Sequence, residues 1–220
     1  EWRIRAGIPP RRLKINGTKT AIEALLCDPN KAGRLYIGTS GGRITVIEEA
    51  VQVDTFVTTA NLTLIPGGGT VGSIEVEPGN ENHMLVAVTN TGLANNIWES
   101  FDRGKTWVGV EGTAVSTDKK FPDIPVWWAT FVPGDATKAI IATEFGVWNT
   151  ELLDGANTTW IPPSATKGTP LVRTKMLQFR NSDKVVLAGT YGRGMWTTDN
   201  FSPVVARLAF EKVTYLNTNH

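Results

Sequence analysis

The chain carries one cysteine, Cys27, and two histidines, His83 and the terminal His220. A single thiol cannot close an internal disulfide or build a thiolate zinc site. Two histidines make an imidazole metal centre or a histidine-based triad a poor expectation, so no metal and no cofactor is expected. No apolar run approaches the ~18 residues that would cross a bilayer, and no membrane span is expected. Charge of one sign is not in excess either: 22 Lys and Arg against 21 Asp and Glu leave a formal +1. With no basic stripe on any one element, a nucleic-acid partner is not expected. The opening "EWRIRAGIPP" shows neither an initiating Met nor a cleavable signal pattern. Convincing amphipathic helices of three turns are missing as well.

What the chain does have is glycine and tryptophan, 22 and 8 of them, in 220 residues of which 41% are hydrophobic. Runs such as "RLYIGT", "MLVAVT", "AIIATE" and "VVLAGT" are short, β-branched and bounded by Gly, Pro, Asn and Asp. They read as strands, and the class is all-β.

These strands repeat. "LYIGTSGGRITVI", "MLVAVTNTGLANNIWES", "AIIATEFGVWNTE" and "VVLAGTYGRGMWTTD" align on Thr39, Thr89, Thr143 and Thr190, at separations of 50, 54 and 47 residues. Each is a strand, a Gly-containing turn and a second strand. Upstream of each lies another strand ending in a polar turn, such as Asp28-Pro29-Asn30, Pro78-Gly79-Asn80 or Pro133-Gly134-Asp135, where Pro presets φ and Gly or Asn accepts positive φ. Trp98, Trp148 and Trp196 share one slot in the third strand of successive units. Trp107 and Trp160 open the fourth strand, and Trp2 fits that slot too.

Four antiparallel strands per repeat of this length make the blade of a β-propeller, in which neighbours must stack about an axis to bury both faces. Residues 1–201 are expected to hold about four blades, starting inside a fourth strand. That makes either a ring closed by Trp2–Ile4 or the C-terminal part of a larger propeller, the second being favoured. Residues 202–220 leave the repeat and read as a linker and the first strand of a following β-sandwich module.

Within the second unit, Ser100, Asp102, Gly104, Thr106 and Trp107 spell S-x-D-x-G-x-T-W. Asp102 is expected to accept backbone N–H bonds, Gly104 to supply positive φ, and Trp107 to anchor the turn. Decayed versions follow at Asp154, Gly155, Thr159 and Trp160, and at Thr197–Asp199. This motif resembles the Asp-box of bacterial neuraminidase-type repeat propellers, where the turn is structural and lies at the rim. "DIPVWWATF…AIIATEFGVW" and "GTYGRGMW" resemble propellers of the sortilin and xyloglucanase type, closest to modules of large secreted Gram-negative bacterial proteins. The resemblance implies a secreted or cell-surface location. It also implies that the remaining blades or neighbouring domains of the same polypeptide are partners.

In a propeller, the loops joining second to third strands share a face with the connectors between blades, and ligands usually sit there. The first set supplies Ser40, Asn90, Thr91, Glu144, Phe145, Tyr191 and Arg193. The connectors add Arg11, Arg12, Asp123, Trp127 and Trp128. Two readings stand here. Either the aromatics and charges hold a ligand, or Tyr191 and Phe145 pack their turns while Arg193 pairs with Glu144 or a neighbouring carbonyl. A glycosidase needs two carboxyl groups ~5–10 Å apart, and Asp123 and Glu144 are the only nominees on this face. The expected function is a non-catalytic binding or scaffold module for a protein or glycan. The alternative is part of a xyloglucanase-like glycoside hydrolase.

Overall fold

The computed structural model describes residues 20–48, 50, 59–61, 64–114, 119–164, 168–180, 182–199 and 211–213. Trp2, Arg11 and Arg12 lie outside them. Along the chain the strands are β1 (Ile22–Cys27), β2 (Leu35–Thr39), β3 (Ile44–Ile47) and β4 (Thr59–Asn61), then β5 (Val71–Glu77), β6 (Asn80–Val88), β7 (Ile97–Ser100) and β8 (Val108–Gly109). Two short strands follow, β9 (Thr113–Ala114) and β10 (Lys119–Lys120). Next come β11 (Val126–Val132), β12 (Asp135–Thr143), β13 (Gly146–Thr150) and β14 (Thr159–Trp160). The last group is β15 (Thr174–Arg180), β16 (Val185–Thr190), β17 (Met195–Thr198) and β18 (Glu211–Lys212).

The sheets are antiparallel and keep sequence order: β1-β2-β3-β4, β5-β6-β7-β8, β11-β12-β13 and β15-β16-β17-β18. These are four blades of a partial β-propeller. The hairpins between first and second strands are tight where Pro and Gly fill the turn. Gly79 and Gly134 take φ of 91° and 83°, which a side chain would resist. Blade 3 carries a variation. Ile161 bridges to Asn149, but Thr159 and Trp160 pair parallel with β9, and β10 completes a small mixed sheet. In blade 4 the outer strand is not led by Trp. Glu211–Lys212 fills that place opposite Trp196 and Thr197, within the stretch read from sequence as a linker and the first strand of a following module.

Three apolar seams hold the blades together. The first joins Ala24, Tyr36 and Val46 of blade 1 to Val71, Ile74, Val86 and Trp98 of blade 2. The second joins Leu85 and Ile97 to Ala129, Ile141 and Trp148. The third joins Ile140, Ala142 and Val147 to Leu177, Val186 and Ala188, with Trp196 packed on it. Trp98, Trp148 and Trp196 each enter the seam with the preceding blade. The indole N–H of Trp98 donates to the Asn95 carbonyl at 3.1 Å, and that of Trp196 to the Arg193 carbonyl at 3.2 Å. Both acceptors lie three residues upstream.

Polar bonds tie the same seams. The Ala129 N–H donates to Ser73 Oγ across the second seam at 2.9 Å. Asn30 of blade 1 donates to the Glu77 carbonyl at 2.9 Å and accepts from the Gly79 N–H at 2.5 Å.

The alignment of the threonines that end the second strands needs one correction. Thr39, Thr143 and Thr190 use their hydroxyls to close the hairpin, on the carbonyls of Arg43, Gly146 and Gly194. Thr89 does not. In blade 2 the hairpin closes one residue earlier, at Val88, whose carbonyl accepts from the Asn96 side-chain amide at 2.8 Å. The longer loop shifts the register.

Candidate functional site

β1, β5, β11 and β15 are the innermost strands, and each packs on the next. All four bulge at the same place. The register slips between Ile22 and Ala24, Val71 and Ser73, Val126 and Trp128, and Thr174 and Met176. A bulge leaves one residue unpaired and re-aims its side chain. The unpaired residues are Glu23, Gly72, Trp127 and Lys175, one per blade, at the end of the strands where the hairpins and connectors gather. Gly72 leaves room for the neighbouring blade, because a Cβ there would stand 2.7 Å from the Trp127 carbonyl oxygen.

On blades 3 and 4 this arrangement builds a cluster. Lys175 Nζ lies 3.8 Å from the centre of the Trp127 ring. Arg173 Cζ stands 5.2 Å from that ring and 5.8 Å from the Tyr191 ring. These are cation–aromatic distances. Arg173 also grips Glu144 with two parallel bonds, Nε to Oε2 and Nη2 to Oε1, each 2.8 Å. The Trp127 indole N–H donates to Glu144 Oε2 at 3.2 Å. The hydrogen bonds from Arg173, reinforced by Trp127, hold the Glu144 carboxyl below its ordinary range against the opposing effect of burial. Backbone bonds fix the frame: the Tyr191 N–H donates to the Arg173 carbonyl at 2.7 Å, and the Glu144 N–H to the Pro125 carbonyl at 3.2 Å.

The residues nominated from sequence fall into three groups. Trp127, Glu144 and Tyr191 join this cluster. Phe145 and Arg193 lie beside it on the same two hairpins, exposed, and Phe145 does not pack its turn. Tyr191 is 73% exposed and does not pack its turn either. The partner of Glu144 is Arg173, not Arg193, because the connector into blade 4 runs closer to the β12–β13 hairpin. Asn90 and Asp123 belong to blade 2 and its outgoing connector. Asn90 Oδ1 accepts from the Thr70 N–H. Both Asp123 oxygens accept from the Gly92 N–H, at 2.8 and 2.9 Å. Asp123 thus caps a loop, and no described contact joins it to Glu144.

Arg173 and Lys175 escaped the sequence reading, as they lie in "PLVRTKM" with no motif around them. The carboxyls that are pushed up lie elsewhere. Burial raises Glu75 and Glu111 to about 7 each. Glu111 is 2% exposed, with Oε1 accepting the Asn96 N–H at 2.9 Å. Glu75 sits on an innermost strand, and its only moderating contact is a bond to Thr130.

The Ser100–Trp107 turn lies between the two outermost strands of blade 2, at the rim. The Ser100 hydroxyl donates to Asp102 Oδ1 at 2.9 Å and accepts the Gly104 N–H at 2.8 Å. Asp102 accepts the N–H groups of Lys105 and Thr106 at 3.0 and 2.8 Å, and the Thr106 hydroxyl at 2.6 Å. The Thr106 bonds come first in drawing the Asp102 carboxyl down to about 2. Gly104 has φ of 75°, and Trp107 packs against the first seam. The intervening residues reach blade 1 directly and blade 3 through His83. Arg103 bonds Glu48 of blade 1, and Phe101 stacks on His83, which also meets Phe131 of blade 3. A groove of about 290 Å³ at the corresponding turn of blade 3 is lined by Leu152, Asp154 and Asn157 among others. It too lies at the rim.

No family model matches the chain, and no curated protein matches it. Solved structures share the fold. The crystal structure of an ancestral GH74 enzyme aligns with a TM-score of 0.61 at 14% identity, over 89% of this chain and 24% of that one. The GH74 enzyme of Niastella koreensis aligns with a TM-score of 0.51 at 15% identity, over 80% of this chain and 28% of that one. The computationally designed Ika4 protein gives a TM-score of 0.53 at 11% identity, over 86% and 98% of the two chains. The chain therefore spans about a quarter of the length of these GH74 enzymes.

Proposed function

We propose that the chain is a non-catalytic β-propeller binding module, of the Asp-box type, in a secreted or cell-surface bacterial protein. Its ligand, a protein or glycan, sits on the cluster of Trp127, Arg173, Lys175 and Tyr191 at the mouth of the channel. The observation that carries this reading is the repeated bulge, which lifts Trp127 and Lys175 out of the pairing and sets them side by side. The exposed ring of Tyr191 extends the platform onto blade 4.

The glycoside-hydrolase alternative draws its support from the two GH74 neighbours, at the level of the fold. The carboxylates on this face speak against it. A glycosidase needs a proton donor whose pKa is raised near neutrality. Glu144 is lowered instead by Arg173, and Asp123 is occupied with Gly92.

A direct test measures reducing-end release from β-glucans by the full chain and by Asp123→Asn and Glu144→Gln. No release above background is expected from any of them. Turnover by the parent that disappears in either variant would replace the binding reading with the hydrolase one. In parallel, a panel of polysaccharides and secreted proteins is screened for quenching of tryptophan emission. The ligand that quenches the parent is expected to bind Trp127→Ala at least about tenfold more weakly.

A further inference from the structure

The charge around the cluster names a ligand class, and this inference rests on the binding reading above. On the mouth-side hairpins and connector of blades 3 and 4, the described charged groups are Glu144, Arg173, Lys175 and Arg193. Three cations face one carboxylate, and that carboxylate is consumed by Arg173. Among the described residues, Lys175 has no ion-pair partner; its ammonium rests on the Trp127 ring. Arg193 is exposed on the same turn as Tyr191, and only its backbone carbonyl is engaged, by the Trp196 indole. Glu23, the bulge residue of blade 1, lies two blades away from this group.

We propose that this face binds an acidic polysaccharide, one whose sugar rings carry carboxylates. The apolar C–H face of a pyranose packs on the open side of Tyr191. Ring carboxylates then meet Lys175 and Arg193, neither of which forms an ion pair among the described residues. A neutral glucan would leave both cations unanswered. An acidic peptide would satisfy the charges but would leave the aromatic face without a flat partner.

The test measures binding of the full chain, by calorimetry at low salt, to polygalacturonate, a neutral β-glucan and poly-glutamate. Polygalacturonate is expected to bind, with affinity falling at least about tenfold between roughly 0.05 and 0.5 M salt as the Debye length shrinks. Lys175→Gln is expected to weaken it about fivefold, and Tyr191→Ala about tenfold, with circular dichroism unchanged. Equal binding of the neutral glucan, insensitive to salt, overturns the charge inference while leaving the binding module intact. Binding of poly-glutamate as tight as polygalacturonate, with Tyr191→Ala neutral, overturns the glycan assignment. No binding by any polymer at the highest soluble concentration overturns the acidic-polysaccharide proposal. If the wider ligand screen is silent as well, the binding reading falls with it.

Discussion

His83 faces a carboxylate at each ring nitrogen: Glu77 lies 2.8 Å from Nδ1 and Glu99 2.8 Å from Nε2. Only the doubly protonated imidazolium can donate to both. Burial opposes that charge, but the bonds to Glu99 and Glu77 outweigh it and raise the pKa. A histidine raised on folding stabilises fully below its unfolded value near 6.5, and the gain is lost as pH climbs through the higher folded value. Glu75 and Glu111, raised by burial to about 7, already draw the melting temperature down between about pH 4.5 and 7, and the loss of the His83 contribution should add a further decline above about 6.5. A pH series of calorimetric scans checks this, and His83→Gln should flatten that decline. His83→Ala should cost about 3 kcal/mol, because the nearly buried Glu99 loses its partner. None of this is legible in the sequence. Two histidines make a metal centre a poor expectation, but Glu77 and Glu99 lie on other strands, and they meet His83 only once the pairing register is set. Asp102 is the opposite case. All of its partners lie within four residues, so the spacing of Ser, Asp, Gly and Thr foretells the turn.

Strands and hairpins were legible because their signals are local: β-branched runs, Pro-Gly turns, and tryptophans recurring at one slot. Where the expectation slipped, a non-local contact decided the outcome. Thr89 lost its place to Val88 because Asn96 closes the longer hairpin of blade 2. The outer strand of blade 4 came from Glu211–Lys212, which carry no tryptophan. The bulges of the innermost strands leave no compositional trace, since Glu23, Gly72, Trp127 and Lys175 share no chemistry. Arg173 and Lys175 went unseen because only the folded register brings them to Glu144 and Trp127. The seam tryptophans permit a quantitative comparison. Trp148 is 9% exposed and packs edge-on to Phe121 at 5.2 Å, so Trp148→Ala should cost about 4 kcal/mol. Trp196 occupies the equivalent slot but is only half-buried, and its replacement by Ala should cost roughly half as much. Urea titration of both variants measures the difference in midpoint.

At the scale of the whole molecule, the blades follow one another as an arc, with β1 on β5, β5 on β11 and β11 on β15. Comparable packing of β15 back onto β1 is not seen among the described residues. Architecture was readable from sequence because each blade restates the same solution to burying two apolar faces. The proposed binding face was less so, because different loops bring its exposed side chains together. The arc itself is what both the seams and the mouth depend on, and one nuclear Overhauser spectrum of the labelled chain interrogates all three junctions. Cross-peaks are predicted from the Asn30 side-chain amide to the Gly79 N–H, from the His83 ring to the Phe131 ring, and from the Lys175 ε-methylene to the Trp127 indole. Complete assignment of these residues with all three cross-peaks missing would contradict the stacking of successive blades.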